Sequence, residues 1–226
     1  MEIVSISYID NQKYENKLNI NDNSINSIID YGNIKSLVVK GRNYILLDDI
    51  ICSFKTNTLG EEINRYEKNL TSDYIENLKK LFDFNEDFYN KDKSIMSSSE
   101  IRLCYIFINL LLDNDLIILD DLTESLDSQN INKILFILRE LKKQGKTIII
   151  ISNDVEMIHK ISDNIIVINK QIICYGSKYD VFVNNDLSKI PNVIRFSKIV
   201  KDKKNVKLGY RDDIKDLMKD IYRCAK

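Results

Sequence analysis

The stretch LIILDDLTESLD, residues 116–127, decides the fold of this chain. Four consecutive apolar residues that end in two carboxylates predict a strand buried on both faces of a parallel sheet. Open α/β sheets hold their ligands at the carboxyl ends of their strands, so Asp120 and Asp121 are candidate site residues.

A helix and a second strand are predicted directly after this stretch. Ser128 is a good N-cap, and apolar residues at helical spacing follow it as far as Gly145, which ends the helix. The run Thr-Ile-Ile-Ile-Ile at 147–151 predicts a second buried strand, which leads into Ser152-Asn153-Asp154. Strand, helix and strand make one βαβ unit, so the predicted fold class is α/β.

Length, charge and cysteine pattern limit the class of protein. With 226 residues, the chain can hold one large α/β domain, or one domain with a small appendage. Its 33 basic and 34 acidic residues nearly cancel, which disfavours nucleic acid as a partner. The four cysteines lack metal-ligand spacing, and no apolar run reaches the ~20 residues that span a bilayer. We therefore expect a cytoplasmic protein that reaches a membrane only through another subunit.

The amino-terminal part reads as strands and loops. Alternating apolar residues predict an edge strand over 2–8, and the polar segment 10–23 predicts a loop. Two strand-like runs at 34–39 and 44–47 are joined by a short polar connection, which predicts a hairpin.

The rest of the chain is predicted to be mostly helical outside the βαβ unit. Helical spacing over 58–93 predicts an inserted helical subdomain, and Ser97 and Glu100 have capping-box spacing at the start of the next helix. His159 is interpreted as a surface or boundary residue, and the run 201–204 as a solvated turn. Further along the chain we predict a helix over 154–162, strands over 165–168 and 172–175 that form a hairpin, and helices around 194–200 and 214–221.

The motifs from residue 96 to residue 127 resemble those of the ATP-binding-cassette (ABC) transporter ATPases. Met96-Ser97-Ser98-Ser99-Glu100 stands where that family has its Leu-Ser-Gly-Gly-Gln/Glu signature, and Ser125-Leu126-Asp127 matches the D-loop. Ser152-Asn153-Asp154 falls on the switch strand, where the family usually has Thr/Ser-His-Asp. Tyr8 matches the aromatic residue of the first strand that stacks on adenine.

The resemblance covers nearly the whole chain. It implies a P-loop NTPase-like ABC ATPase domain over residues 1–182, with an N-terminal antiparallel β subdomain and a helical subdomain inserted at about 58–113. A small C-terminal helical extension would occupy residues 183–226. The tail is most similar to the ATPases of energy-coupling-factor importers, the cobalt and vitamin type, through residues 172–177, 180–182 and 190–195.

The sequence departs from the family where phosphates are bound. No Gly-x-x-x-x-Gly-Lys-Ser/Thr occurs in it, so the backbone cradle for the β- and γ-phosphates is not visible. In one register, residues 29–36 are a decayed loop that keeps Lys35 and Ser36. In the other, residues 40–43 replace the whole loop and its helix. We favour the deletion because the sequence then matches the family on both sides of a single gap.

The other candidate site residues also differ from the family pattern, and most of the differences would weaken ATP hydrolysis. Asp120 fits the carboxylate that holds Mg²⁺ through water. Asp121 stands in place of the usual catalytic Glu but is one methylene shorter, and Asn153 replaces the switch His and cannot carry a proton. Lys55 stands where the family has the Gln of its Q-loop.

The signature segment also differs from the family pattern. Ser98 and Ser99 replace glycines that let the backbone approach a partner's γ-phosphate, and each adds a Cβ where space is short. Plainer interpretations stay open: the two aspartates as a strand-end turn, and the segment 97–100 as a helix cap only. The nucleotide-contacting residues that the resemblance implies are Tyr8, Lys35, Ser36, Lys55, Ser97, Ser98, Ser99, Glu100 and Asp127.

Three functions are compatible with these residues. The first is a degenerate ABC subunit on the inner face of the cell membrane, which pairs with an intact ATPase, or with itself, and docks on a transmembrane subunit. In this hypothesis ATP and Mg²⁺ are the cofactors that the resemblance implies, and the chain itself hydrolyses little ATP. The second is an active importer ATPase with an atypical phosphate loop. The third is a non-transport regulatory or scaffold protein on the same fold.

Overall fold

The structure falls into two compact units. The computed structural model describes residues 4–6, 16–18, 24–30, 44–47, 54–66, 72–121, 126–169, 171–204 and 208–224. The first unit comprises residues 1–24 and 36–151, and the second comprises residues 25–35 and 152–226. The boundary predicted between residues 182 and 183 stays a prediction.

In the first unit, two short strands form an antiparallel pair. Strand β1 (Val4–Ile6) pairs with β2 (Asn16–Leu18), so that Val4 lies opposite Leu18. The predicted edge strand is confirmed for these three residues. The prediction of a loop over 10–23 was wrong at Asn16–Leu18, because backbone hydrogen bonds between strands do not require apolar side chains.

Three parallel strands carry the core of the first unit. In the order β4 (Tyr44–Leu47), β5 (Leu116–Asp120) and β6 (Thr147–Ile151), they pair so that Leu47 lies opposite Leu119 and Asp120 opposite Ile151. The apolar residues of β5 and β6 are buried, as continuous apolar runs in parallel sheets predict. The other strand of the predicted hairpin, 34–39, lies outside the described residues.

The predicted helices between the strands are present. They are α1 (Leu59–Tyr66), α2 (Ser72–Phe82), α3 (Glu86–Asn90) and α4 (Ser98–Leu110), with a 3-10 turn at Lys93–Ile95 before α4. Aromatic rings pack α2 against α4: the ring of Phe107 meets that of Phe82 edge-to-face at 5.0 Å, and Phe84 adjoins both. Edge-to-face pairs of this kind add attraction to the burial of the rings.

Helix α5 (Ser128–Lys143) completes the βαβ unit with β5 and β6. Its N-cap is Asp127, which accepts the backbone N–H of Asn130, whereas the sequence predicted Ser128. Both residue types cap helices well, but a carboxylate also complements the positive end of the helix dipole, so the helix begins one residue earlier. Gly145 follows with a φ of 98°, a left-handed conformation that suits glycine after a helix.

The second unit combines three strands with four helices among its described residues. Strand β3 (Ile25–Asp30) is parallel to β7 (Asn164–Asn169), which is antiparallel to β8 (Gln171–Ser177), and the predicted hairpin is confirmed. The helices are α6 (Val155–Ile161), α7 (Lys178–Asn184), α8 (Asn192–Lys204) and α9 (Ile214–Cys224). None of the helices in the described ranges is long and apolar enough to cross a membrane.

Two predictions in the second unit were wrong. The run Lys201–Lys204 forms the end of α8 instead of a turn, because lysine favours helices and its charge suits the negative end of the helix dipole. His159 is buried, with 3% of its surface exposed. Its Nε2 lies 2.9 Å from the hydroxyl oxygen of Tyr210, which itself donates to Asp212 at 2.6 Å. These partners lie about fifty residues further along the chain, so no local pattern could indicate them.

Burial of His159 makes the stability of the protein depend on pH. Burial lowers the pKa of His159 in the folded state, although Asp212 opposes that shift. The unfolded chain therefore binds more protons, and the free energy of unfolding should fall as the pH drops below ~6.5, by up to about 1.4 kcal/mol per pH unit. The sequence contains no other histidine, so no second histidine contributes to the pH dependence in this range. Urea denaturation at a series of pH values measures the effect.

A His159→Gln variant provides the comparison, because glutamine stays neutral throughout the range. We expect its stability to vary less between pH 5 and 7, the range in which an ordinary histidine titrates. Parallel curves for the two proteins would contradict the assignment of this dependence to His159.

Candidate functional site

The N-terminus of α4 is built as a capping box. The Ser97 side chain accepts the backbone N–H of Glu100 at 3.2 Å, and a carboxylate oxygen of Glu100 accepts the backbone N–H of Ser97 at 2.8 Å. Lys91 donates to both carboxylate oxygens of Glu100, at 2.7 and 2.9 Å. The Lys91 hydrogen bond is the largest cause that holds the pKa of Glu100 below its usual range. Glu100 is therefore an anion that is fixed in place at neutral pH.

The next two residues leave their backbone donors available. Within the described part of the chain, no acceptor is assigned to the amides of Ser98 and Ser99, the first two residues of α4. Such amides, with the positive end of the helix dipole, are the usual means by which a helix N-terminus binds an anion. Ser98 is exposed, so this end of the helix faces solvent.

A hydrogen-bonded cluster joins the start of α4 to the start of α5. The Ser99 hydroxyl donates to Asp127 at 3.2 Å and accepts from the Asn130 side chain at 2.9 Å, and Asn130 also donates to Asp127 at 2.8 Å. The backbone N–H of Asn130 is the main cause that lowers the pKa of Asp127. The structure thus brings together two predicted site residues that lie 28 positions apart. Asn130, which orients both, was not identified from the sequence, although a side-chain amide in the first turn of a helix is a common capping partner.

A buried arginine connects α4 to the tip of β5. Arg102 is 1% exposed, and its Nη2 lies 3.5 Å from the carbonyl oxygen of Asp120. Its guanidinium also lies 5.9 Å from the centre of the Tyr105 ring. Arg102 was missed in the sequence because a charged residue within an amphipathic helix is ordinarily exposed.

Asp120 and Asp121 lie at the carboxyl end of β5, as predicted. Asp120 is half-buried and Asp121 is exposed. The backbone of Asp121 is left-handed, with a φ of 46°, and its N–H donates to the carbonyl oxygen of Ile151 at 3.0 Å. Aspartate is one of the few residues that tolerate this conformation.

The strand tip was also predicted to bind magnesium. Among the described residues, no three His, Cys, Asp or Glu side chains are grouped so that they could hold a metal ion. A magnesium ion that is held mainly by phosphates and water needs only one or two protein carboxylates, and Asp120 at the half-buried strand tip fits that need.

The loop that contains Lys55 is fixed by a buried carboxylate. One oxygen of Glu62 accepts the backbone N–H groups of Lys55 and Thr56 at 3.1 and 3.0 Å, and the other accepts from Arg65 at 2.9 Å. Lys93 adds a hydrogen bond of 3.1 Å to the carbonyl oxygen of Phe54. Lys55 itself is exposed. An acid in the first turn of α1 is favoured by the helix dipole, but no local pattern indicates that Glu62 is buried.

Four predicted site residues lie in the second unit or outside the described residues. Asn153 belongs to the second unit, where it is exposed between β6 and α6. Tyr8, Lys35 and Ser36 lie outside the described residues. The contacts predicted between these four residues and a nucleotide therefore stay predictions.

Comparison with known sequences identifies relatives that match part of the chain. No profile of a known protein family matches it. A probable metal transport system ATP-binding protein of Chlamydia muridarum is 30% identical over 91 residues, which are 40% of this chain and 35% of that protein. The energy-coupling factor transporter ATP-binding protein EcfA of Methanococcus maripaludis is 27% identical over 147 residues, 59% of this chain and 53% of that protein. The chain thus spans between about a third and a half of the length of these two relatives.

Solved structures match over more of the chain. CbiO1 of Clostridium perfringens, described as part of the ABC transporter complex CbiONQ, superimposes with a TM-score of 0.64 at 17% identity, over 88% of this chain and 93% of CbiO1. An ATP-binding subunit of an ABC transporter also gives a TM-score of 0.64, at 14% identity, over 79% of this chain. At such identities the likeness concerns the fold.

Proposed function

We propose that this chain, which has the fold of ABC ATPase domains and whose homologues are ABC transporter ATP-binding proteins, is a degenerate subunit of a membrane transporter. In this function it pairs with an intact ABC ATPase and hydrolyses little ATP itself. One contrast supports the proposal. Helix α4, which would be the signature helix, begins with a complete capping box, whereas the sequence contains no phosphate-loop motif.

The contribution of this chain to its partner is the start of α4. The amides of Ser98 and Ser99, aided by the helix dipole, are free to donate to the terminal phosphate of an ATP that the partner's own phosphate loop holds. Lys91 keeps the capping box closed through Glu100, and Asn130 fixes Ser99 against Asp127. This preorganisation offsets part of the cost of the two extra Cβ atoms.

A nucleotide on the chain's own side would meet a weak site. Asp120 would hold Mg²⁺ through water, and the ion would supply charge to neutralise the phosphates. Asp121 is exposed at the strand tip, and its side chain is short for a base that must reach an attacking water. Asn153 donates and accepts hydrogen bonds but holds no titrating proton.

The membrane partner would dock on the face that carries Lys55. The Glu62 carboxylate accepts from the backbone of this loop and the Lys93 side chain donates to it. These hydrogen bonds fix the loop to the helical segment, so the two can move as one body. Ile95 is 70% exposed in the adjacent 3-10 turn and offers an apolar contact. We place the chain on the cytoplasmic, inner face of the cell membrane and favour import of the energy-coupling-factor type. We expect no nucleic acid among its partners.

Site-specific photocrosslinking tests the pairing. A photoreactive benzoylphenylalanine is introduced at exposed position 98, and membranes from cells that naturally make this protein are irradiated with and without a non-hydrolysable ATP analogue. We expect the analogue to raise crosslinking to a second ABC ATPase, which mass spectrometry identifies. The same probe at exposed position 203 of α8 is the control and should give no nucleotide-dependent product.

Two outcomes would contradict the proposal. Recovery of the chain only as a homodimer that is not attached to membranes would favour the scaffold hypothesis. Crosslinks from position 98 that form equally without nucleotide would show that α4 does not face a partner's ATP.

A further inference from the structure

The second unit contains a cavity that plays no part in the proposed function. It has a volume of about 130 Å³ and lies between α7, α8 and the segment 208–211. Ile194 and Leu208, both buried, form part of its apolar wall. Tyr179 borders it and packs edge-to-face against the ring of Tyr210 at 5.3 Å.

The charged residues that line this cavity are all cations. Lys198 and Lys201 lie one helical turn apart on α8, and Arg211 faces them from the segment 208–211. Among the residues that the structure describes, no aspartate or glutamate lines the cavity. Like charges at this spacing repel each other, and a bound anion would reduce that repulsion.

Two acids that contact residues of the cavity lining, Asp212 and Asp220, are bound to other groups or to Arg211. Asp212 accepts from the Tyr210 hydroxyl at 2.6 Å and from Lys178 at 3.1 Å. Asp220 accepts from Arg211 at 2.6 Å, which orients that guanidinium. Within the described part of the chain, neither Lys198 nor Lys201 forms an ion pair.

We propose that this cavity binds a phosphate group. Because Arg211 is already paired with Asp220, the two lysines supply the net charge that matches a dianion, and the Ser197 side chain adds a hydroxyl donor to the lining. The small volume suits a single phosphate group and excludes a whole nucleotide. The group can come from free inorganic phosphate or from the headgroup of an anionic lipid, and the two sources share this chemistry.

Titration calorimetry with inorganic phosphate tests the site directly. Ionic strength is held constant with sodium chloride, so that general screening does not contribute. We expect saturable binding to the full-length chain that the double variant Lys198→Gln, Lys201→Gln weakens at least about tenfold, since each charge-assisted bond contributes that much or more. Glutamine favours helices about as well as lysine, so α8 should remain folded. Lys203→Gln, on the same helix but outside the cavity, should bind like the wild type.

A flotation assay distinguishes the two sources. Vesicles of phosphatidic acid, whose headgroup is a phosphomonoester, are compared with vesicles of phosphatidylcholine, for the wild type and for the same variants. Binding of phosphatidic acid vesicles that the double variant loses and Lys203→Gln keeps would assign the site to a lipid headgroup. Phosphate binding without vesicle binding would assign it to free phosphate. If the double variant matches the wild type in both assays, or neither ligand binds, the proposal is wrong.

Discussion

We expect the purified chain to hydrolyse ATP about a thousandfold more slowly than an ordinary transporter ATPase. A positioned general base alone contributes roughly 10²–10⁴-fold to the rate of such a reaction. Three features lead to this expectation. The sequence has no phosphate-loop motif, and Asp121 is a shorter, exposed acid on a left-handed backbone at the strand tip. Asn153, which the proposed function places at the switch position, cannot carry a proton. A coupled assay of phosphate release, with an intact transporter ATPase measured in parallel, gives the ratio.

Two variants make this result interpretable. Asp121→Asn should leave the low rate unchanged, because the carboxylate contributes no base catalysis in the wild type. Lys35→Ala should not alter the affinity for a Mg-ATP analogue. Turnover at the ordinary level that Asp121→Asn abolishes, or analogue binding that Lys35→Ala removes, would establish the active-importer hypothesis instead.

Loss of the Glu62 side chain is expected to destabilise the first unit by about 2–6 kcal/mol, because each of two backbone donors left without its acceptor costs about 1–3 kcal/mol. Glu62 is 2% exposed, and Glu62→Ala leaves the backbone N–H groups of Lys55 and Thr56 without their acceptor. Burial by itself raises the pKa of Glu62, but hydrogen bonds from Thr56 and the charge of Arg65 outweigh it, so the pKa lies below its usual value. The carboxylate is thus ionised, and its contribution should be lost as the pH falls below ~4.5. Urea denaturation near neutral pH measures the difference.

The neighbouring Glu61 offers a matched control. Its carboxylate accepts the backbone N–H of Asn57 at 3.1 Å, but this hydrogen bond is exposed to solvent. Glu61→Ala should therefore change the free energy of unfolding by only about 0.5 kcal/mol, as is usual for surface positions. Equal losses for the two variants would show that the buried network of Glu62 does not fix the Lys55 loop.

Prediction from the sequence succeeded where local periodicity and burial agree. The apolar runs of β5 and β6 can only be accommodated in a buried sheet, and the helical spacing around Phe82 and Phe107 requires an apolar partner. It failed at Asn16–Leu18, where a strand depends on backbone pairing with β1. It also failed at Asp127, where two good capping residues compete within one residue of each other.

Prediction of the candidate site also succeeded for local interactions and failed for those that depend on packing. Ser97 and Glu100 were paired correctly because a capping box is a local interaction between residues three apart. Asn130 and Arg102 were missed because each contacts a residue on another segment. Glu62 was missed because its burial depends on how α1 packs, although its partners lie within seven residues of it. The same reason applies to His159, whose partners lie on a distant segment.

The sequence by itself determined the βαβ unit around residues 116–127, the carboxylates at its strand tip and the cap of α4. Each of these follows from the order of neighbouring residues, through hydrophobic periodicity and backbone hydrogen bonding. Only the tertiary structure decided that Ser99 is tied to Asp127, that Glu62 holds the Lys55 loop and that three cations share one cavity. The Ser99 contact and the cavity join segments that are separate in the chain, whereas Glu62 joins α1 to the loop just before it. In each case the geometry is set by the packing of the helices that carry the residues.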